Sequence, residues 1–101
     1  MKTISGFDQL LSLYKQLPDV GWIYIDKDFD TESTQDILNK NYYLAENDDE
    51  EFDMDETHGT FLECPMFADI IDNKLEHNPN AIKEDLIEAV IHYLVYDDFL
   101  D

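Results

Sequence analysis

No arginine occurs among these 101 residues, and six lysines stand against 25 aspartates and glutamates, a formal charge of −19. Without a guanidinium to grip phosphate or carboxylate bidentately, and with only three glycines and no Gly-rich phosphate loop, nucleotide chemistry has no obvious foothold. The sign of the charge repels DNA, RNA and anionic membranes. Cysteine is nearly absent as well: Cys64 stands alone, so no intramolecular disulfide can form. The opening Met1 to Gly6 lacks the apolar run of about 7–15 residues that a signal peptide carries. The longest nearly apolar stretch, Ala89 to Tyr96, is interrupted by His92 and is too short to span a bilayer. Together these absences predict a soluble protein of a reducing cytoplasm.

What is present is enough for a core. Apolar residues make up 44% and aromatics 13% of the chain, well above the composition of a disordered acidic tail. The length predicts one domain over 1–101, and a chain of this size buries roughly 65% of its unfolded surface. The negative charge exceeds the magnitude of about 2–8 that suffices for the solubility of a small domain. Self-repulsion of that size destabilises the compact state. It therefore points to a cationic partner or to divalent cations.

Along the chain, Ser5-Gly6-Phe7-Asp8 has the spacing of a capping box, and Phe7, Leu10, Leu11, Tyr14 and Leu17 follow at helical intervals. A helix is predicted from Gly6 to Gln16, ended by Pro18. Trp22-Ile23-Tyr24-Ile25 reads as a strand, central because both faces are apolar, with Trp22 expected in the core. Ser33 and Asp36 predict a capped helical turn through Lys40, and Tyr42 to Ala45 a second strand. Pro65 opens a helix whose buried stripe is Met66, Phe67, Ile70, Ile71 and Leu75. After Asn78-Pro79-Asn80, the apolar positions Ile82, Leu86, Ile87, Val90, Tyr93 and Leu94 predict a last helix to about Asp97. The fold class expected is α+β: three to four helices packed on a small antiparallel sheet, or else a mainly helical domain with one hairpin.

Between the second strand and the Pro65 helix lies the densest charge. Glu46, Asp48, Asp49, Glu50, Glu51, Asp53, Asp55 and Glu56 are interrupted only by Asn47, Phe52 and Met54, and no lysine occurs from Asn41 to Asn73. Like charges at this density predict a solvated acidic loop at about 46–60. Its carboxylates Glu46, Asp48, Asp49, Glu50, Glu51, Asp53 and Asp55 are the expected partner-binding residues, with Tyr42, Tyr43 and Phe52 as aromatic anchors inside a charged rim. Asp97, Asp98 and Asp101 form a second, weaker acidic patch.

Chemistry-bearing constellations are weaker. Asp26-x-Asp28-x-Asp30 starts like a calcium loop, but Thr31 stands where Gly is required and Ile37 where the bidentate Glu belongs. A loop started by Asp53 and Asp55 would end on Cys64. His58, His77, His92 and Cys64 lack zinc spacing. Cys64 sits among carboxylates that raise a thiol pKa rather than lower it. The chain is accordingly expected to have no catalytic residues, no metal and no cofactor, and not to be an enzyme.

The run Leu17-Pro18-Asp19-Val20-Gly21-Trp22-Ile23-Tyr24-Ile25 after the first helix, then the acidic segment, then Cys64-Pro65-Met66-Phe67-Ala68-Asp69-Ile70-Ile71-Asp72, resembles small acidic bacterial immunity proteins of polymorphic toxin systems, including contact-dependent growth inhibition. The resemblance covers most of the chain. It implies a cytoplasmic antidote that binds its toxin one to one and blocks the active site or substrate groove of a cationic nuclease, with an RNase expected. The alternatives are an acidic nucleic-acid mimic that inhibits a DNA-binding protein, and a cation-binding module.

Overall fold

Gly6 is where the chain turns from strand into helix, at a φ of +82° that a side chain rarely adopts. A Cβ there would also stand 3.2 Å from the Leu38 carbonyl oxygen. In the computed structural model, which describes residues 1–99, strand β1 (Lys2–Ser5) therefore runs directly into helix α1 (Gly6–Leu13), extended by a 3-10 turn over Tyr14–Gln16. The expected capping box does not form. Ser5 is held in β1, its hydroxyl caps nothing, and the Gln9 side chain instead accepts the Ser5 backbone N–H at 2.5 Å. After Pro18, Gly21 turns the chain at φ +101° into β2 (Trp22–Ile25).

The remaining elements are α2 (Thr34–Asn39), β3 (Asn41–Leu44), α3 (Asp48–Thr57), β4 (Gly59–Glu63), α4 (Cys64–His77) and α5 (Lys83–Tyr96). The α2 turn is capped as its sequence predicts, with Ser33 Oγ accepting from the Asp36 N–H at 3.2 Å. At the start of α5 the Ile82 N–H donates to Asp85 Oδ2 at 3.1 Å, so Ile82 serves as an exposed cap rather than a core residue. Asp97 ends α5 in the left-handed conformation.

The four strands form one antiparallel sheet in the order β1-β3-β2-β4, placing β2 in the interior as its two apolar faces require. The architecture is α+β, with five α-helices and four strands among the described residues, two strands more than the hairpin alternative. The extra strands escape the sequence for different reasons. β1 carries one apolar residue, Ile4, and β4 lacks alternation because of a bulge. Ile23 pairs with Leu62 and Tyr24 with Thr60, leaving Phe61 as the extra residue. Consecutive Phe61 and Leu62 thus both reach the core.

One sheet face, with Ile4, Tyr42, Leu44, Ile23 and Leu62, packs against α1, α2, α4 and α5. Phe29, Tyr42 and Phe61 meet with ring centroids 5.1–5.8 Å apart, and Phe61 leads on to Phe67 at 6.4 Å and Phe67 to Phe7 at 6.1 Å. The other face presents Tyr24 and Tyr43, which pair across β2 and β3 and lie beneath α3. Among the described residues no helix is long and apolar enough to cross a membrane.

Candidate functional site: an acidic helix beside an exposed tryptophan

The acidic segment is a helix, not a solvated loop. Ten of its residues, Asp48–Thr57, form α3, and four physical effects overcome the repulsion. Asn47 caps the helix by accepting from the Glu50 N–H at 2.9 Å. Asp48, Asp49, Glu50 and Glu51 occupy the first turn, where the helix dipole favours negative charge. Met54 is driven into the structure, 4% exposed. Tyr24 donates its hydroxyl to Asp55 Oδ1 at 2.8 Å, fastening the last turn to the sheet. Against these stand like-charge pairs three and four residues apart, such as Asp49–Asp53 and Glu51–Asp55, each costing about 0.2–0.5 kcal/mol.

Helical geometry then sorts the side chains. Residues two apart face different ways, so Met54 inward places Phe52 outward, at 68% exposure. Asp49, Phe52, Asp53 and Glu56 recur at i, i+3, i+4 and i+7 and make one exposed stripe, an aromatic ring set between carboxylates. Asp48, Glu51 and Asp55 make a second row, toward β2. Glu46 and Glu50 are engaged within the molecule: the Met1 ammonium lies 3.3 Å from Glu46 Oε1 and 2.5 Å from Glu50 Oε2, and the Glu46 N–H donates to Glu50 Oε1 at 2.9 Å. Hydrogen bonding to that ammonium holds the Glu50 carboxyl below its ordinary range and raises the amine. The lysine ion pairs among the described residues lie elsewhere, Lys40 with Asp28 and Asp36 and Lys83 with Asp8.

The aromatic anchors divide three ways. Phe52 is exposed as expected. Tyr42 cannot contact a partner: it is fully buried, its hydroxyl donates to the Ile37 carbonyl at 2.6 Å, and its even position in β3 points it into the core. Burial pushes the Tyr42 phenol well above its ordinary pKa. Tyr43 is partly covered, packing edge-on against His58 and donating to Asp26 Oδ2 at 3.2 Å, and so belongs to the support of α3 more than to its surface.

Trp22 reverses the other way. Expected in the core, it is 38% exposed at the start of β2. It forms the ridge between two grooves. One, of about 380 Å³, lies between the Pro18–Trp22 segment and the start of α3 and is bordered by Glu46, Asp48 and Glu51. The other, of about 220 Å³, runs toward α5 and is bordered by Glu63 and Asp97. The second acidic patch is therefore partly joined to the first, since Asp97 reaches the Trp22 ridge; Asp101 lies outside the described residues. Pro18 and Gly21, which set the approach to β2, were the available signal that Trp22 starts a strand at its open end.

Among the described residues no three His, Cys, Asp or Glu side chains converge as a metal centre requires. Cys64 is buried, its N–H donating to the Gly21 carbonyl at 2.9 Å, and burial pushes the thiol up to about 11. Comparison with protein-family models, curated proteins and solved structures finds no match.

Proposed function

We propose that this chain is an immunity-type inhibitor that binds a cationic toxin domain in the cytoplasm, one to one, and blocks the nucleic-acid groove of a nuclease. The observation that carries the reading is the outward stripe of α3. Asp49, Asp53 and Glu56 project around exposed Phe52 from a helix that is capped, pinned by Met54 and bonded through Asp55. A nuclease groove presents lysine and arginine where phosphates lie. Carboxylates held on a helix meet that field without first ordering a loop, which lowers the entropic cost of association. The net charge of −19 adds steering, which raises association toward the order of 10⁸–10⁹ M⁻¹s⁻¹ at low salt. Phe52 supplies a ring to desolvate at the centre of the charged rim.

The test uses the purified basic domain encoded by the adjacent reading frame. An equimolar amount of this chain is expected to abolish its nuclease activity. Replacing Asp49, Asp53 and Glu56 by Asn, Asn and Gln is expected to slow association and flatten its salt dependence. A nuclease left fully active by excess protein rejects the proposal.

A further inference from the structure

We propose that the Trp22 ridge is the anchor point of the interface, and that it receives an arginine or lysine side chain of the partner protein whose aliphatic stem lies on the indole and whose charge reaches the carboxylates beyond. This rests on the reading of the chain as an inhibitor of a cationic protein, and it assigns a specific place and chemistry to the contact.

Two features combine there. The first is apolar surface left open: Trp22 is 38% exposed and Val20, two residues before it, 79% exposed. Adjacent residues of a strand face opposite sides, so Ile23 is fully buried while Trp22, one position before it, keeps over a third of its surface open. The second is the sign of everything charged around it. The larger groove is bordered by Glu46, Asp48 and Glu51, the smaller by Glu63 and Asp97, and no lysine lines either. Of these five acids only Glu46 forms an ion pair among the described residues, with the Met1 ammonium. The tyrosines at the two ends report the same field. Tyr24 is raised by burial first, then by its bond to Asp55 and by Glu51; Tyr93 is raised by burial first, then by Asp97, Glu63 and Asp98.

A part-exposed indole between two acid-bordered grooves fits one kind of group. A guanidinium or ammonium stacks on the ring quadrupole, more strongly when desolvated, while its methylene stem covers the apolar floor. Anionic ligands are repelled, and a purely apolar side chain would leave the carboxylates desolvated and unpaired. The smaller groove adds Leu62, Met66 and Leu94, giving an apolar neighbour of the cationic residue a place to lie. The occupant is thus a cationic segment with alternating apolar residues, carried by the partner protein.

Trp22 is the only tryptophan, so its fluorescence reads the site directly. The full chain is titrated at about 150 mM salt, where exposed charges more than roughly 8 Å apart are largely screened, with the blocked peptide acetyl-Leu-Arg-Leu-Arg-amide and with acetyl-Leu-Gln-Leu-Gln-amide. A saturable change is expected with the arginine peptide and at least ten-fold weaker binding of the glutamine peptide. Replacing Asp48 by Asn and Glu51 by Gln is expected to weaken the arginine peptide at least ten-fold, whereas Glu76→Gln with Glu84→Gln, exposed acids of α4 and α5 that border neither groove, leaves it within about three-fold. Equal losses from both pairs overturn the proposal, since binding would then follow overall charge. In the nuclease assay, Trp22→Ala and the milder Val20→Ser separate the two readings. Trp22→Ala is expected to weaken inhibition by about 30-fold or more, the scale of an interface hot spot, and Val20→Ser by a smaller factor. Undiminished inhibition by both variants overturns the anchor while the inhibitor function stands; no inhibition by the parent chain rejects the function itself.

Discussion

The two faces of the sheet are built on opposite terms. The face toward α1, α2, α4 and α5 is a continuous apolar cluster in which Phe7, Phe67, Ile70, Ile71, Ile87 and Val90 are 0–2% exposed. The face toward α3 is held by buried Met54, the buried Tyr24 ring with its hydrogen bond to Asp55, a tyrosine–histidine contact and the Met1–Glu50 ion pair, beneath a helix whose charges repel one another. Stability comes from the first face and charge display from the second. Since local opening follows the number of buried apolar contacts, α3 is the element expected to open first.

The largest break in that comparison is Phe67→Ala, which empties the centre of the well-packed face. A loss of about 3–5 kcal/mol is expected in urea unfolding, with both faces melting together. Next comes the pH dependence of Cys64, which belongs to the same face. Its folded pKa of about 11 lies above the unfolded value of 9.0, so the stability it contributes is intact below pH 9 and lost as pH rises toward 11. The raised phenols of Tyr24 and Tyr42 extend the decline further. The Cys64 part is about 2 kcal/mol, and Cys64→Ala should remove the loss that begins near pH 9 while leaving the phenols' loss, which begins near their ordinary value of 10.0.

Met54→Ala addresses the thinner face, at about 2 kcal/mol. Amide exchange across 50–57 is expected to accelerate while protection at Phe67 to Ile71 stays near the parent's. Equal acceleration at both would show that α3 opens only with the whole domain. Tyr24→Phe, which removes only the hydroxyl that holds Asp55, is expected to cost about 1 kcal/mol with the same local pattern. Smallest is Asp53→Asn. It relieves repulsion from Asp49, Glu50 and Glu56, so stability should be unchanged or rise by up to about 0.5 kcal/mol, while the proposed function predicts weaker inhibition of a nuclease. A variant that gains stability and keeps full inhibition would separate the charge from the function.

The well-packed face was far more legible than the other. Helical spacing of Phe67, Ile70 and Ile71, and the β-branched and aromatic run of β2, are regular signals of large apolar groups. The α3 face carries no such period: eight carboxylates mask a single inward residue, and Met54 cannot be told from Phe52 until the helix is phased. The same limit misplaced two aromatics. Tyr42 adjoins the charge in sequence, yet strand alternation turns it into the core; Trp22 sits in an apolar strand, yet its place at the strand's open end leaves it exposed.

The amino-acid sequence by itself favoured the α+β class over a helical domain with one hairpin and determined the Pro18 and Pro65 boundaries and the excess of negative charge, because composition and periodicity are local quantities. Only the tertiary structure decided that the acids stand on a helix, which row of them faces outward, and that Trp22, Glu51 and Asp97 share one surface. Those outcomes depend on strand order, on the bulge at Phe61 and on the seating of Met54, contacts between residues distant in the chain that no local pattern encodes.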